Sequence, residues 1–252
     1  MTSRSRKAHI YKQKKHFMMT GGDTMENPNN RIVAAGRLEG ELELSHEVMN
    51  EPFYTGTLAV KRLSGAVDHL PVTIPGKLMG QLPEDRGALL LMTGQIRSYN
   101  KVIEGAGRLM VTLFAQNISE TSDNDTLNRV TLTGALCKPP VYRSTPFGRE
   151  ICDMMLAVNR AFGKSDYIPC IAWGRNAQYA ARFGVGDRVA LTGRLQSREY
   201  QKMLENGEYM VRSAYEVSSF TLEAAGAEPA RESRGIVDTR TLFEHGRRDL
   251  PS

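Results

Sequence analysis

The chain has 252 residues, of which 40% are hydrophobic and 24% are charged, and its formal net charge is +5. That length is enough for one large domain or two domains of ordinary size. No apolar run is long enough for a membrane span and no apolar stretch follows the basic N-terminus, so we predict a cytoplasmic protein without a membrane anchor.

The net charge comes from the N-terminal segment. Six of the 33 basic residues and one of the 28 acidic residues lie within residues 1–24, so the rest of the chain carries 27 of each. One hypothesis is a disordered basic arm over residues 1–29 that contacts phosphates. The other, which we favour, is a natural start at Met25, because residues 21–24 can be encoded by a purine-rich ribosome-binding site.

From residue 30 onward the sequence repeats itself. The segment NRIVAAG at residues 30–36 is echoed by NRVTLTG 98 residues later, and TGQI at residues 93–96 by TGRL 99 residues later. Two matches held in register over this distance indicate two related domains. The predicted organisation is a first domain, a polar linker, a second domain and a disordered tail, at residues 30–120, 121–127, 128–223 and 224–252.

Each copy contains five segments rich in Val, Ile, Leu and Thr, separated by Gly, Pro and Asn. The predicted strands of the first copy are 31–38, 54–63, 69–75, 87–99 and 107–118. Those of the second are 129–136, 149–160, 167–173, 187–200 and 208–222. Residues 175–183 predict a short helix that ends at Gly184. We therefore predict an all-β fold of two tandem five-stranded OB-fold barrels, each with a short helix between strands 3 and 4.

The last two strands of the second copy are long and are separated by a turn at Asn206 and Gly207. This pattern predicts a hairpin that protrudes from the barrel, from Gly193 to Val211. A hairpin in that position is able to fold over a bound ligand.

Motifs for catalysis or metal binding are absent from the sequence. There is no P-loop and no H-E-x-x-H motif, the five histidines are scattered, and the three cysteines form no C-x-x-C pair. We predict a protein that is not an enzyme, uses no cofactor or metal, and keeps its cysteines as reduced thiols.

Aromatic and basic residues are interleaved in the second copy, where residues 128–202 hold 12 Lys or Arg and 5 Asp or Glu. This combination suits single-stranded nucleic acid, because bases stack on aromatic rings in any sequence while cations contact phosphates. The alternative is that the aromatic residues are core. Tyr167 and Trp173 share a strand face with Ile171, and periodicity leaves open whether that face points inward. The candidate residues are Phe162, Tyr167, Trp173, Tyr200, Arg129, Arg143, Arg160, Lys164, Arg175, Arg194, Arg198 and Lys202.

Five motifs in the second copy resemble, in order and spacing, the bacterial single-stranded DNA-binding proteins: NRVTLTG, PFG, AVNRAF, IAWGR and LTGRL, at residues 128–134, 146–148, 157–162, 171–175 and 191–195. The resemblance covers essentially all of residues 128–223. It implies sequence-nonspecific binding and protection of single-stranded DNA in replication, recombination or repair, in the bacterial nucleoid. It also implies that bases stack on Phe162, Tyr167, Trp173 and Tyr200, and that phosphates contact Arg129, Arg143, Lys164, Arg175 and Arg198.

The first copy departs from this pattern. His69 stands opposite Tyr167, Pro75 opposite Trp173 and Lys101 opposite Tyr200, and residues 30–120 hold 9 basic and 10 acidic side chains. We therefore predict a degenerate barrel that serves mainly as a packing partner. A weak extension of the DNA path over it would use Tyr99, Arg62, Arg97 and Lys101.

The resemblance to known two-barrel proteins implies a homodimer that supplies four barrels. The acidic C-terminus with an apolar tip that is usual in the family is missing, so replication or recombination partners are not expected to dock by that route. Two other functions remain open from the sequence. One is an RNA-binding OB protein that uses the same face. The other is a replication-restart or recombination adaptor that acts mainly through protein contacts.

Overall fold

The structure is a computed structural model that describes residues 29–103, 106–122, 125–203 and 209–226. The predicted basic arm, apart from Asn29, lies outside this part of the chain. So do the predicted turn at Asn206 and Gly207 and the predicted tail from residue 227 onward. No helix within the described residues is long and apolar enough to cross a membrane.

The first half of the chain, residues 30–120, forms a closed five-stranded barrel. β1 pairs with β2 and β4, β2 pairs with β3, and β4 pairs with β5, all antiparallel, while β3 and β5 pair in parallel and complete the ring. A 3-10 helix at Gly76–Gln81 lies between β3 and β4. The strands are β1 (Asn30–Val48), β2 (Glu51–Lys61), β3 (Val67–Pro75), β4 (Leu90–Ile103) and β5 (Ala106–Glu120).

The second half, residues 128–223, pairs its strands in the same ring order. β6 pairs with β8 and β10, β8 with β9, and β10 with β11, while β9 and β11 are parallel. The helix α1 (Arg175–Ala180) lies between β9 and β10, and a 3-10 helix covers Ala161–Gly163. The strands are β6 (Asn128–Leu136), β7 (Val141–Ser144), β8 (Glu150–Asn159), β9 (Ser165–Trp173), β10 (Arg188–Met203) and β11 (Tyr209–Ala224).

The all-β prediction is confirmed, and the closed five-stranded barrel is consistent with an OB fold. Two features were not predicted. β1 continues to Val48 because it forms a hairpin with β2, whose turn places Met49 and Asn50 at φ 50° and 64°. The edge strand β7 has four exposed residues that pair only with β8, so no alternation of apolar residues marked it in the sequence.

The two halves are joined by one continuous sheet, in which β1 pairs antiparallel with β6. Ile32 faces Val130 at the centre, and the flanking pairs run from Asn30 with Leu132 to Ala34 with Asn128. Since Asn30 and Asn128 occupy the same position in the repeat, each half presents the same patch to the other. The contact therefore has the form of a two-fold symmetric dimer interface built within one chain.

Buried aspartates strengthen this contact in the same symmetric way. Asp166 accepts a hydrogen bond from the backbone N–H of Ser98 at 2.5 Å, and Asp68 accepts one from the backbone N–H of Ser197 at 2.9 Å. Both aspartates are 0% exposed, and each forms an ion pair with an arginine of its own half, Arg160 and Arg62 respectively. Each carboxylate thus holds a strand of the opposite half.

Candidate nucleic-acid interface

The aromatic face of β9 points outward. Tyr167 and Trp173 are 49% and 37% exposed, whereas the alternate residues Ile168, Cys170 and Ala172 are buried in the core. This answers the question that periodicity left open, since the face shared by Tyr167 and Trp173 is the outer one. Two large rings on an exposed strand surface are available to a ligand.

The orientation of Trp173 is set by its neighbours. The indole Nε1–H donates a hydrogen bond to Ser218 Oγ on β11 at 3.1 Å. The next residue, Gly174, has φ of 52°, a left-handed conformation that turns the chain from β9 into α1. The ring is therefore held by its Nε1 edge, and the residue is 37% exposed.

Trp173 lies between two clefts. The larger cleft has a volume of about 480 Å³, and the smaller one, of about 430 Å³, is lined by Thr145, Phe147, Arg149 and Trp173. Like Trp173, Arg149 lines both clefts. The larger cleft is lined by Arg62, Arg149, Trp173, Arg194, Gln196, Ser197, Arg198, Ser218, Ser219 and Phe220. One of these residues, Arg62, comes from the first half of the chain.

Arg194 is a partly buried cation of the larger cleft. Burial, and next the positive charge of Arg62, lower the pKa of its guanidinium from the ordinary value. Its Nε atom is buried and has no hydrogen-bond partner among the described residues. A phosphate in this cleft would supply both a partner for that N–H and a compensating negative charge.

Phe220 is a candidate binding residue that the sequence reasoning missed. It is 49% exposed, and the guanidinium carbon of Arg194 lies 6.0 Å from its ring centroid. Thr192 pairs with Thr221 but Gly193 pairs with Ser219, so Phe220 is the extra residue of a β-bulge. The bulge directs the ring outward, and strict alternation along β11 gave no sign of this position.

Tyr200 lies on the extended part of β10 and is 39% exposed. The guanidinium carbon of Arg198 lies 5.9 Å from its ring centroid, and Arg198 Nε is 3.6 Å from the carboxylate of Glu216. This pair continues the aromatic and basic surface away from the larger cleft. The side chains of Phe162 and Lys202, which were also predicted to bind, lie outside the described part of the structure.

The other predicted basic residues are distributed over the surface. Arg129, Arg143, Lys164 and Arg175 are all exposed, and Arg143 forms an ion pair with Asp153 at 2.7 Å. Arg160 has a different environment. Its Nη2 donates to the carbonyl oxygen of Ser98 at 3.0 Å and its guanidinium pairs with Asp166, so it lies in the contact between the two halves.

The outward rings and the cleft arginines lie on a closed five-stranded barrel that is consistent with an OB fold. The model of the single-strand binding protein family matches residues 127–223. Single-stranded DNA-binding protein A of Bacillus subtilis is 42% identical over 82 residues, which are 30% of this chain and 48% of that protein. The single-stranded DNA-binding protein of Oceanobacillus iheyensis is 32% identical over 116 residues, 43% of this chain and 71% of that protein.

The chain therefore belongs to the single-strand binding protein family. It spans about half the length of the Bacillus subtilis relative and of the Listeria innocua single-stranded DNA-binding protein 2. The crystal structure of the single-stranded DNA binding protein from Thermus aquaticus has a TM-score of 0.63 and 23% sequence identity. The match covers 80% of this chain and 95% of that one, and it shows a shared fold.

Proposed function

We propose that this protein binds single-stranded DNA without sequence preference and protects it during replication, recombination or repair in a bacterial nucleoid. The observation that carries the proposal is the outward ring of Trp173, held by its edge between two arginine-lined clefts. An exposed ring among cations is suited to unpaired bases, because a duplex hides its base faces.

In this proposal the DNA strand follows the outer surface of the second half. Bases stack on Tyr167, Trp173 and Tyr200, with Phe162 and Phe220 adding further rings. Arg194 contacts a phosphate in the larger cleft. Further basic residues contact phosphates along the rest of the path, and these are Arg129, Arg143, Lys164, Arg175, Arg198 and Lys202. Arg160 acts as a positioning residue, since its guanidinium already binds Asp166 and Ser98.

The hairpin of β10 and β11 folds over the bound strand in this proposal. β10 and β11 remain paired from Val189 with Ala224 to Met203 with Tyr209, and Arg198 and Tyr200 lie along that extension. Occupancy by the protein then keeps nucleases and complementary strands away from the bases. The chain carries out no chemistry on the DNA, and the relatives reported above are named as DNA-binding proteins.

We further propose that the chain is the two-barrel form of its family and assembles as a homodimer with four OB barrels. The symmetric contact between β1 and β6 supports the two-barrel form, since each half presents the corresponding strand and the corresponding aspartate to the other. Sedimentation equilibrium is expected to give twice the chain mass of 28.0 kDa. A mass equal to one chain would contradict the homodimer.

Titration of Trp173 fluorescence with oligo-dT tests the binding proposal, because Trp173 is the only tryptophan. Stacking on the indole is expected to quench its emission strongly, and duplex DNA should not compete. Oligo-U serves as the competitor that separates DNA from RNA binding. Preference for oligo-U would favour an RNA-binding protein. Unchanged emission together with no binding by filter retention would reject the proposal and favour an adaptor that works through protein contacts.

A further inference from the structure

Ser98, on β4 of the first half, binds the second half through its backbone and its side chain. Its N–H donates to Asp166 Oδ1 at 2.5 Å, and its carbonyl oxygen accepts from Arg160 Nη2 at 3.0 Å. Its hydroxyl oxygen accepts the backbone N–H of Tyr167 at 2.7 Å. A buried residue of the first half is therefore bonded to the strand that carries an outward ring of the second half.

The strand β9 needs a partner at this point. It pairs with β8 over all nine of its residues, but its pairing with β11 is confined, within the described part of the chain, to Cys170 and Ile171. The residues of β9 before Cys170 therefore lack a strand neighbour on that side. Backbone N–H groups need acceptors, and the hydroxyl of Ser98 gives Tyr167 the acceptor that a neighbouring strand would otherwise supply.

Charged neighbours fix the geometry around Ser98. The carboxylate of Asp166 accepts from Arg160 Nε at 2.5 Å and from Arg97 Nη1 at 3.2 Å. Arg160 also begins the connection between β8 and β9, where its backbone N–H donates to the carbonyl oxygen of Lys164 at 2.7 Å. The first half thus holds both this connection and the start of β9, so the backbone at Tyr167 has a defined position.

The repeat builds the same contact in the opposite direction, but that contact ends at a different residue. Ser197 of the second half corresponds to Ser98, and its hydroxyl oxygen accepts the backbone N–H of His69 at 3.0 Å. Its own N–H donates to Asp68 at 2.9 Å. His69 stands where the second half has Tyr167, so only the contact of Ser98 is made to a residue with an aromatic ring suited to stacking.

We propose that Ser98 is a positioning residue for DNA binding by the second half. From the first half it fixes the backbone of Tyr167, and thereby the direction of the ring on which a base stacks. Ser98 is only 9% exposed and acts through Tyr167 without contacting the DNA. This inference rests on the proposed function of the second half. The contact of Ser98 with Tyr167 is uncharged, so it affects stacking and leaves the number of neutralised phosphates unchanged.

Ser98→Ala in the full chain removes the acceptor of the Tyr167 N–H without changing any charge. The affinity for a short oligo-dT, followed by Trp173 fluorescence, is expected to fall about fivefold, the lower end of what one stacked base contributes. The salt dependence of binding should stay the same. Ser98→Thr keeps the hydroxyl on a side chain that suits a strand and is expected to restore the affinity. An unchanged affinity in Ser98→Ala would overturn the proposal.

A double-mutant cycle tests whether Ser98 acts through the ring. Tyr167→Leu removes the ring but keeps the backbone N–H, so Ser98→Ala is expected to cause no further loss of oligo-dT affinity in that background. The same fold loss in both backgrounds would overturn the proposal, because Ser98 would then act by another route. Failure of the proposed function gives a different result, since the unmodified chain would neither retain oligo-dT nor show quenching of Trp173.

Thr73→Val is the matched control for a general loss of stability. The hydroxyls of Thr73 and Thr112 are buried 3.0 Å apart, and their hydrogen bond lies wholly within the first half. The control is expected to lower the melting temperature and to leave the affinity unchanged. An equal loss of affinity in Thr73→Val and Ser98→Ala would overturn the proposal. If Ser98→Ala does not fold, Ser98→Cys replaces it, because a thiol is a weak acceptor.

Discussion

Asp68 and Asp166 occupy corresponding positions in the two halves of the chain. Each carboxylate is fully buried, pairs with an arginine of its own half, and accepts a backbone N–H from the other half. The hydrogen bond that Arg62 donates to Asp68 raises the pKa of Arg62, whereas burial lowers the pKa of Arg97, which also contacts Asp166. Asp166 lies between two cations, Arg160 and Arg97, and a backbone donor, so its carboxylate is costly to neutralise.

Asp166→Asn is expected to lower the free energy of unfolding by about 3 kcal/mol, because Arg160 and Arg97 would lose their buried counter-charge. Urea unfolding followed by circular dichroism measures this, and Asp68→Asn should give a loss of similar size. Asp125→Asn is the control, since its 3.0 Å pair with Lys61 is exposed and contributes less than about 1 kcal/mol. Equal unfolding midpoints for the buried and the exposed variants would contradict this account.

The long hairpins of both halves contain a bulge at the same position of the repeat. The register shifts between Thr93 and Gly94 in β4 and between Thr192 and Gly193 in β10. A Cβ atom on either glycine would overlap a carbonyl oxygen of the paired strand, that of Phe114 or of Ser218. Glycine is thus required by the close approach of the strands, and in the second half the bulge also exposes Phe220.

Gly193→Ala is expected to destabilise the protein by about 1 to 3 kcal/mol, because the backbone must move to admit the methyl group. Gly94→Ala should behave similarly, and thermal unfolding measures both. Gly184→Ala is the control, since its nearest contact would be 3.8 Å away, at ordinary van der Waals distance. Equal melting temperatures for Gly193→Ala and Gly184→Ala would contradict the close approach of the strands at Gly193.

At the scale of the whole molecule, charge is divided unevenly between the halves. Residues 128–202 carry an excess of cations, whereas residues 30–120 are close to neutral. The larger cleft collects arginines from both halves, since Arg62 joins Arg149, Arg194 and Arg198. Binding of single-stranded DNA to the second half should therefore weaken as the salt concentration rises.

The logarithm of the affinity for oligo-dT is expected to fall linearly with the logarithm of the salt concentration. Each phosphate neutralised contributes a slope of about −0.7 for single strands. Arg198→Gln should make the slope shallower by about that amount in fluorescence titrations. Arg86→Gln is the control, because Arg86 is exposed and pairs with Glu41 in the first half. An identical slope for Arg198→Gln and the unmodified chain would exclude a phosphate contact at Arg198.

By itself, the sequence was sufficient for the repeat, the all-β class and the choice of Tyr167 and Trp173 as candidates, but not for the direction in which their strand face points. These depend on local alternation and on motifs that recur along the chain. The tertiary structure decided which distant residues meet. It turned the face of Tyr167 and Trp173 outward, brought Arg62 into the cleft of the other half, and exposed Phe220 at a bulge. Cross-strand and inter-half pairing is set by long-range hydrogen bonds, which local periodicity does not encode.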